Sequence, residues 1–203
     1  MARRGFLDVT IDTLSSAITA AATSIVVDDE TGFAAHTLAV IEEGTSRAEI
    51  VLITAVTTAT NTLTVVRGML DTTAVVHSKG SRIKECGYKS WLSFPIPDIA
   101  TVYTMCIVPP RGVLVSARTV LAQAIATADA VITLYKAAQA ITGGVITIGY
   151  SGSATGDIDW CYPTLYNEFN GTTEYLKVIN AGACTGAHVQ QITLEFVCIE
   201  QPE

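Results

Sequence analysis

The feature that most constrains the fold is a series of short β-branched runs in the first half of the chain. Gly, Asp and Asn turn residues separate the runs, as they do between the strands of small β domains. The runs contain almost no side chain that could perform chemistry. They lie at residues 24–27, 38–42, 49–56 and 63–67, with a closing segment at 82–84. This pattern predicts a small β module whose role is to bind.

A hairpin signal is found at residues 38–56. Two apolar runs, 38–42 and 49–56, flank the turn-forming sequence Glu43-Gly44-Thr45. Hairpin loops favour glycine, which adopts a positive φ without steric cost. We therefore expect these two runs to pair as antiparallel neighbours.

The sequence pattern also predicts strands in the second half of the chain. Residues 129–135 and 191–197 alternate polar and apolar side chains, the pattern of strands with one buried face. Ala-rich residues 113–128 could compete as a helix, but their Val and Thr content favours a strand. Further strand-like runs lie at residues 102–108, 144–148 and 174–180. Many short strands separated by turn signals predict a β-sandwich, most simply a jelly roll.

The predicted fold class is thus all-β, a small N-terminal β-barrel-like module followed by a jelly-roll β-sandwich. Pro95 and Pro97 exclude a helix between the two parts. The expected organisation is an N-terminal arm (1–13), the small β module (14–85), a linker with the first edge strand (86–98) and the jelly roll (99–203).

Charge argues against nucleic acid as a partner. Only 15% of the residues are charged, and the net charge is -7. Residues 1–90 hold 8 Lys and Arg against 10 Asp and Glu, and residues 91–203 hold 4 against 9. Neither half has the basic stripe that phosphate neutralisation requires. The neutral remainder, rich in Thr, Ser and Ala, suits permanent contact with other protein copies.

Membrane insertion and secretion are not expected. The longest apolar stretch, 113–126, is interrupted by Arg118 and Gln123, so it falls short of a membrane span. Asp8 and Asp12 stand where a secretory signal would have an apolar segment. We expect synthesis and retention in a cytosol, at least until release.

Neither catalysis nor metal binding is expected. The five cysteines have no C-x-x-C spacing, and Cys106 and Cys198 lie in apolar runs where a free cysteine packs as a small hydrophobe. Asp157 and Asp159 could be glycosidase carboxylates or calcium ligands, but no further ligand is identifiable. The histidines, His36, His77 and His188, lie in separate loops, where solvation is the default. We therefore predict no catalytic residue, no cofactor and no metal.

An aromatic cluster follows the two aspartates, consisting of Trp160, Tyr162, Tyr166 and Phe169. Aromatic side chains are enriched at protein interfaces, which favours a role in subunit contact or in a loop packed on the sandwich. Carbohydrate stacking is the alternative.

The first module resembles a β module common in structural proteins of tailed phages. The resemblance covers about residues 14–84 and rests on Thr31-Gly-Phe33, Glu49-Ile-Val-Leu-Ile53, Asn61-Thr-Leu-Thr-Val-Val-Arg-Gly68 and His77-Ser-Lys-Gly80. The remainder, with residues 130–135, 143–148 and 191–196, resembles the jelly roll of phage head decoration, cement or head-fibre proteins.

The resemblance implies a non-enzymatic virion protein on the outer capsid surface, made in the host cytoplasm. It would decorate and stabilise the expanded capsid by bridging major capsid subunits, as a homodimer or homotrimer. The expected capsid contacts are the arm residues Arg3, Arg4, Phe6 and Leu7. A tail, baseplate or fibre component is an alternative, and a carbohydrate-binding or depolymerase module acting on a host surface glycan is an alternative of another class.

Overall fold

The computed structural model describes residues 10–96, 103–182, 184–185 and 190–198, and strands make up most of them. The chain divides into two compact units, an N-terminal unit (Met1–Gly87) and a C-terminal unit (Tyr88–Glu203). Within the described ranges, helical structure is limited to one 3-10 turn, Thr58–Thr60. None of the helical structure there is long and apolar enough to cross a membrane. The predicted all-β fold is confirmed.

The N-terminal unit is a single curled antiparallel sheet. Its strands are β1 (Ile11–Thr13), β2 (Ser24–Val26), β3 (Thr37–Ile41), β4 (Glu49–Thr57), β5 (Thr62–Met69) and β6 (Arg82–Cys86). The order across the sheet is β1-β6-β3-β4-β5-β2. Leu14 forms a bridge with Val27, and the Ser15 N–H donates to the Val26 carbonyl at 2.9 Å. These contacts bring the two edge strands together, so the sheet is barrel-like and leaves little exposed edge.

The predicted hairpin is present as β3 and β4. The two strands pair from Thr37 opposite Ile53 to Ile41 opposite Glu49. Gly44 has φ +79 in the connecting loop, in the left-handed region that favours glycine. The turn chemistry and the hydrophobic pattern therefore specify the same register.

Alternating apolar side chains from these strands fill the inside of the N-terminal unit. Central strand β3 is buried along its whole length. The core side chains are Leu14, Ile18, Ile25, Val27, Phe33, Ala39, Ile41, Val51, Ile53, Leu63, Val65 and Ile83.

The C-terminal unit is a two-sheet sandwich. Its strands are β7 (Tyr88–Ile96), β8 (Tyr103–Ile107), β9 (Gly112–Val120), β10 (Ala130–Lys136), β11 (Gln139–Ile148), β12 (Ile158–Cys161), β13 (Glu168–Phe169), β14 (Leu176–Gly182) and β15 (Gln190–Cys198). One sheet has the order β12-β9-β15-β7, with β13 also paired to β9, and the other has the order β11-β10-β14-β8.

The strand order identifies the sandwich as a jelly roll. Without the two-residue β13, eight strands remain, and the first pairs with the eighth, the second with the seventh, the third with the sixth and the fourth with the fifth. The first four strands thus form one long antiparallel hairpin with the last four. This hairpin is folded so that its strands are divided between two sheets. The predicted jelly roll is confirmed.

The inner faces of the two sheets form one core. Ile132, Leu134, Leu194 and Phe196 contribute fully buried side chains to it from β10 and β15. Burial of side chains of this size stabilises by about 1.5–3 kcal/mol each relative to exposure, so the sandwich depends chiefly on its inner faces.

Two predicted boundaries need correction. Residues 11–13 are not part of an arm, because they form β1 and pair with residues 82–84. The Asp12 carboxylate also accepts the Asp29 N–H at 2.6 Å, which ties this segment to the turn after β2. Residues 86–98 were predicted to be a linker with the first edge strand; residues 88–96 of this range form one nine-residue edge strand, β7, which pairs with β15 along its length, so most of the predicted linker is strand.

Candidate functional surfaces and a buried charged network

The predicted capsid-contact residues Arg3, Arg4, Phe6 and Leu7 lie outside the described residues. The same holds for His188, whereas the four residues of the aromatic cluster are all described.

The aromatic cluster is divided between surface and core. Trp160 is 44% exposed, Tyr162 49% and Tyr166 57%. Phe169 is only 1% exposed, and its ring packs edge-on against Phe196 with 6.0 Å between centroids. The prediction that Phe169 is an interface residue is therefore wrong, because pairing of β13 with β9 turns this side chain into the sandwich.

Trp160 and Tyr162 form an ordered pair of rings on the edge strand β12 and just after it. Their planes are parallel within 3°, and their centroids are 6.3 Å apart. The Arg118 guanidinium lies over the Trp160 ring, with Cζ 5.2 Å from the centroid. This cation–π contact fixes the ring while leaving the side chain partly exposed.

The outer face of the β12-β9-β15-β7 sheet continues from Trp160 across three strands. Trp160 lies opposite Arg118, Arg118 opposite Thr193, and Thr193 opposite Ser93. Trp91, which is 59% exposed, stands on β7 at the far edge. We call this surface the aromatic face. It consists of Ile158, Trp160, Val120, Arg118, Ser116, Gln191, Thr193, Glu195, Pro95, Ser93, Trp91 and Lys89.

The middle of the aromatic face is polar. Glu195 accepts the Ser116 hydroxyl at 2.9 Å and pairs with Lys89 at 2.8 Å. Ser93 and Thr193 share a hydrogen bond of 2.6 Å between their hydroxyls. Polar groups therefore occupy the two central strands, and large aromatic rings stand at the two edges.

An open cavity of about 320 Å³ lies at one end of the aromatic face. Its lining consists of Pro95, Val120, Leu121, Ala122 and Gln191. Val120, Gln191 and Pro95 form the cross-strand row next to the one that contains Arg118 and Thr193. The cavity is thus continuous with the polar middle of the face.

The outer face of the other sheet has a different character. Thr133 lies opposite Val145 on one side and Ile179 on the other, and Ile179 lies opposite Thr104. We call this surface the neutral face. It consists of Val131, Thr133, Tyr135, Val145, Thr147, Lys177, Ile179, Ala181, Thr104 and Cys106. Its one ionisable amine, on Lys177, lies 4.6 Å from the Tyr135 ring centroid.

A buried charged network lies inside the N-terminal unit. Glu49 is fully buried and accepts two hydrogen bonds of 2.6 Å from Arg67, from Nε and from a terminal nitrogen. It also accepts the backbone N–H groups of Gly68 at 3.0 Å and Val75 at 3.1 Å. His77 Nε2 lies 3.1 Å from the same carboxylate. Because an ionised carboxylate only accepts hydrogen bonds, Nε2 carries a proton.

The remaining donors of Arg67 bind the backbone. Its terminal nitrogens donate to the carbonyls of Thr19 at 2.9 Å and Val75 at 2.8 Å. The guanidinium thus connects the segment before β2, strand β5 and the loop that leads to β6. Bidentate pairs of this kind combine strong hydrogen bonds with a defined geometry.

Glu42 extends the network toward the surface. It accepts the Ser81 hydroxyl at 2.5 Å, and its carboxylate lies 3.5 Å from His77 Nδ1. Arg47 approaches Glu42 to 3.4 Å and donates to the Val76 carbonyl. The loop before β6 is therefore held by side chains from β4, β5 and the β3–β4 hairpin loop.

These contacts keep both glutamates ionised. Burial alone would raise the pKa of Glu49, but the hydrogen bonds from Arg67, Val75 and His77 together outweigh it, so the pKa lies below its ordinary value. The Ser81 hydrogen bond is the main cause that lowers the pKa of Glu42.

The sequence contains a local signal for part of this network. Glu49 alternates with Val51 and Ile53, and Arg67 alternates with Leu63 and Val65, so both charges fall on core-facing positions. The prediction that His77 is solvated in a loop is wrong, since its side chain is completely buried.

Asp157 and Asp159 have different environments. Asp157 accepts the Ala154 N–H at 2.6 Å and thereby closes its loop. Burial, with the nearby Asp157 charge, raises the pKa of Asp159. No group of three or more potential metal ligands occurs among the residues that the structure describes.

The cysteines are free thiols with different exposure. Burial raises the pKa of Cys161 to about 12 and that of Cys198 to about 11, so neither is a reactive thiolate near neutral pH. Cys198 is buried as predicted. Cys106 is exposed, because its position on β8 points to the outer side of the sheet.

The sequence matches no protein-family model and no curated protein. The geometry of the two outer faces and the residues that carry the phage resemblance are therefore the basis for the functional proposals.

Proposed function

We propose that this chain is a structural virion protein that decorates and stabilises the expanded capsid of a tailed phage by bridging major capsid subunits. The neutral face is the observation that supports this proposal most directly. It is a continuous sheet surface made mostly of Val, Ile, Ala and Thr side chains, and such a surface suits the interface of a permanent homo-oligomer.

The neutral face fits self-association for a physical reason. Desolvating charged groups is costly, so stable subunit contacts have few of them in their centre. Here the only charged side chain is Lys177, which already packs on the Tyr135 ring. Val145 lies on the edge strand β11, opposite Thr133 of β10, and its side chain is 48% exposed. A second copy of the chain would cover these apolar groups.

Self-association explains how such a protein would stabilise a shell. A ligand that binds only the expanded lattice shifts the equilibrium toward that lattice by mass action. When two or three linked copies bind neighbouring subunits, the later binding events become intramolecular, so weak contacts add up to strong retention. Within this proposal, the N-terminal unit and the arm before it contact the shell.

Substituting Val145 by glutamate tests the oligomer. We expect the wild-type protein to be a dimer or trimer, and the V145E variant to dissociate at least about tenfold more readily, because the carboxylate would be desolvated in the interface. Mass photometry over a dilution series measures this. T155E, which adds the same charge in an exposed loop, is the control. Unchanged association of V145E would exclude the neutral face as the interface.

Removing the arm tests the contact with the capsid. Since Thr10 accepts the Glu85 N–H and β1 starts at Ile11, the deletion should span only residues 2–9. We expect about tenfold or greater weakening of co-sedimentation with expanded capsids, and no change in thermal unfolding. Replacing Arg3, Arg4, Phe6 and Leu7 by alanine should have the same effect.

Full retention of the deleted protein on capsids would show that the arm is not needed. Absence of binding by the wild-type protein would contradict the decoration role itself. Labelled electron microscopy of virions then separates a head position from a tail or baseplate position.

A further inference from the structure

The distribution of side chains on the aromatic face is the reverse of that in a protein interface. Protein interfaces have an apolar centre and a polar rim. On this face, Trp160 and Trp91 stand at opposite edges, while Arg118, Thr193 and Glu195 occupy the centre. A second protein surface would have to desolvate the polar centre to reach both rings.

This arrangement fits the chemistry of a sugar chain. One side of a pyranose ring presents C–H groups, whose positive partial charge favours the negative face of an aromatic ring. Its edge presents hydroxyls, which both donate and accept hydrogen bonds. Aromatic rings at two positions with polar groups between them match a chain of several such units.

Hydrogen-bonding capacity is available in the centre of the face. Arg118 contacts Trp160 and has no carboxylate partner within the described ranges, so its N–H groups can donate to a ligand. The hydroxyls of Ser93 and Thr193 bond to each other and keep lone pairs for a further donor. Lys89 and Ser116 hold the Glu195 carboxylate in place between the two aromatic edges.

The cavity beside this polar centre gives the face a concave end. Its volume of about 320 Å³ lies at the lower end of the range for small-molecule sites. Gln191 adds an amide to a lining that is otherwise apolar.

We propose that the aromatic face of the C-terminal unit binds an oligosaccharide, with Trp160 and Trp91 stacking on sugar rings and Arg118 donating hydrogen bonds. The proposed activity is binding, and Asp159 faces the opposite side of β12 from Trp160. This inference goes beyond capsid decoration and does not depend on it.

The test measures retention of the full-length protein on polysaccharides. Affinity electrophoresis would use gels containing dextran, xylan, mannan, alginate or polygalacturonate, followed by a printed array of bacterial surface glycans. We expect retention by at least one of these probes. Failure to bind any gel or array probe would overturn the proposal.

Variants show whether the aromatic face is responsible. W160A and W91A should each weaken the retained interaction about tenfold or more, whereas W160F should restore part of it because a flat ring remains. Y88A is the matched control. Tyr88 is an exposed aromatic residue on the same strand, but it lies at an alternate position and so belongs to the opposite face of the sheet from Trp91. Unfolding temperatures of all variants would show that the fold is kept.

Two outcomes would contradict the assignment of the face. Equal retention of W160A, W91A and wild type would place any glycan site elsewhere. Loss of capsid co-sedimentation in W160A and W91A, without any glycan retention, would make the face a protein interface. Co-sedimentation of the protein lacking residues 2–9 with expanded capsids does not depend on either outcome. That assay therefore shows separately whether the decoration role fails.

Discussion

Replacing Glu49 by alanine is expected to destabilise the N-terminal unit by about 3–5 kcal/mol, the usual cost of removing one partner from a buried ion pair. Arg67 would remain in the interior with its charge uncompensated, since its side chain is only 5% exposed. The N–H groups of Gly68 and Val75 would lose their acceptor, as would His77 Nε2. The loss thus combines an unpaired charge with several unsatisfied donors.

Hydrogen exchange followed by mass spectrometry is the appropriate measurement. Both tryptophans, Trp91 and Trp160, belong to the C-terminal unit, so tryptophan fluorescence does not report on the N-terminal one. We expect amides of β3, β4 and β5 to exchange more than about 100-fold faster in E49A. E49Q keeps the shape without the charge and should give a smaller effect.

A matched control is available in the adjoining loop. Glu43 is exposed and pairs with Lys84 at 2.9 Å on the surface, where ion pairs contribute little. E43A should leave the exchange pattern unchanged. If E49A exchanged like E43A, the buried network would not be a determinant of the stability of this unit.

Phe169 gives the second large effect. F169A should cost about 3–5 kcal/mol in the C-terminal unit, because it leaves a cavity beside Phe196 that the surrounding strands cannot fill. Chemical denaturation followed by tryptophan fluorescence measures this unit directly. A shift in the midpoint without a change in slope would indicate loss of stability alone.

Tyr166 serves as the comparison for Phe169. It comes from the same aromatic cluster but is 57% exposed. Y166A should therefore leave the denaturation midpoint close to that of the wild type. If F169A behaved like Y166A in the isolated protein, the core assignment of Phe169 would be contradicted.

The features that the sequence predicted well are those encoded over short distances. Alternation identified β10 and β15, and Gly44 between two apolar runs identified the β3–β4 hairpin. Turn signals at regular intervals then favoured a sandwich over a helical fold. The strand and hairpin inferences need only short windows, the longest being the 19 residues of the hairpin at 38–56.

The features that were missed depend on partners far apart in the sequence. Glu49 pairs with Arg67 and His77, which lie 18 and 28 residues away. Strand β1 has too few residues to be recognised alone and is defined by pairing with β6. The aromatic face depends on cross-strand register, including an irregularity between Glu195 and Phe196 that no local pattern encodes.

The pairing of β7 with β15 has a consequence for biosynthesis. Ser93 and Thr193 are direct neighbours although 100 residues separate them. Because β15 follows β7 by about 100 residues, the sheet that they share cannot assemble until β15 has also left the ribosome. The N-terminal unit, complete at residue 87, can fold cotranslationally well before that. A nascent chain stalled or truncated before residue 190 would present unpaired β7 and β9 edges, which are targets for chaperones and for aggregation between chains.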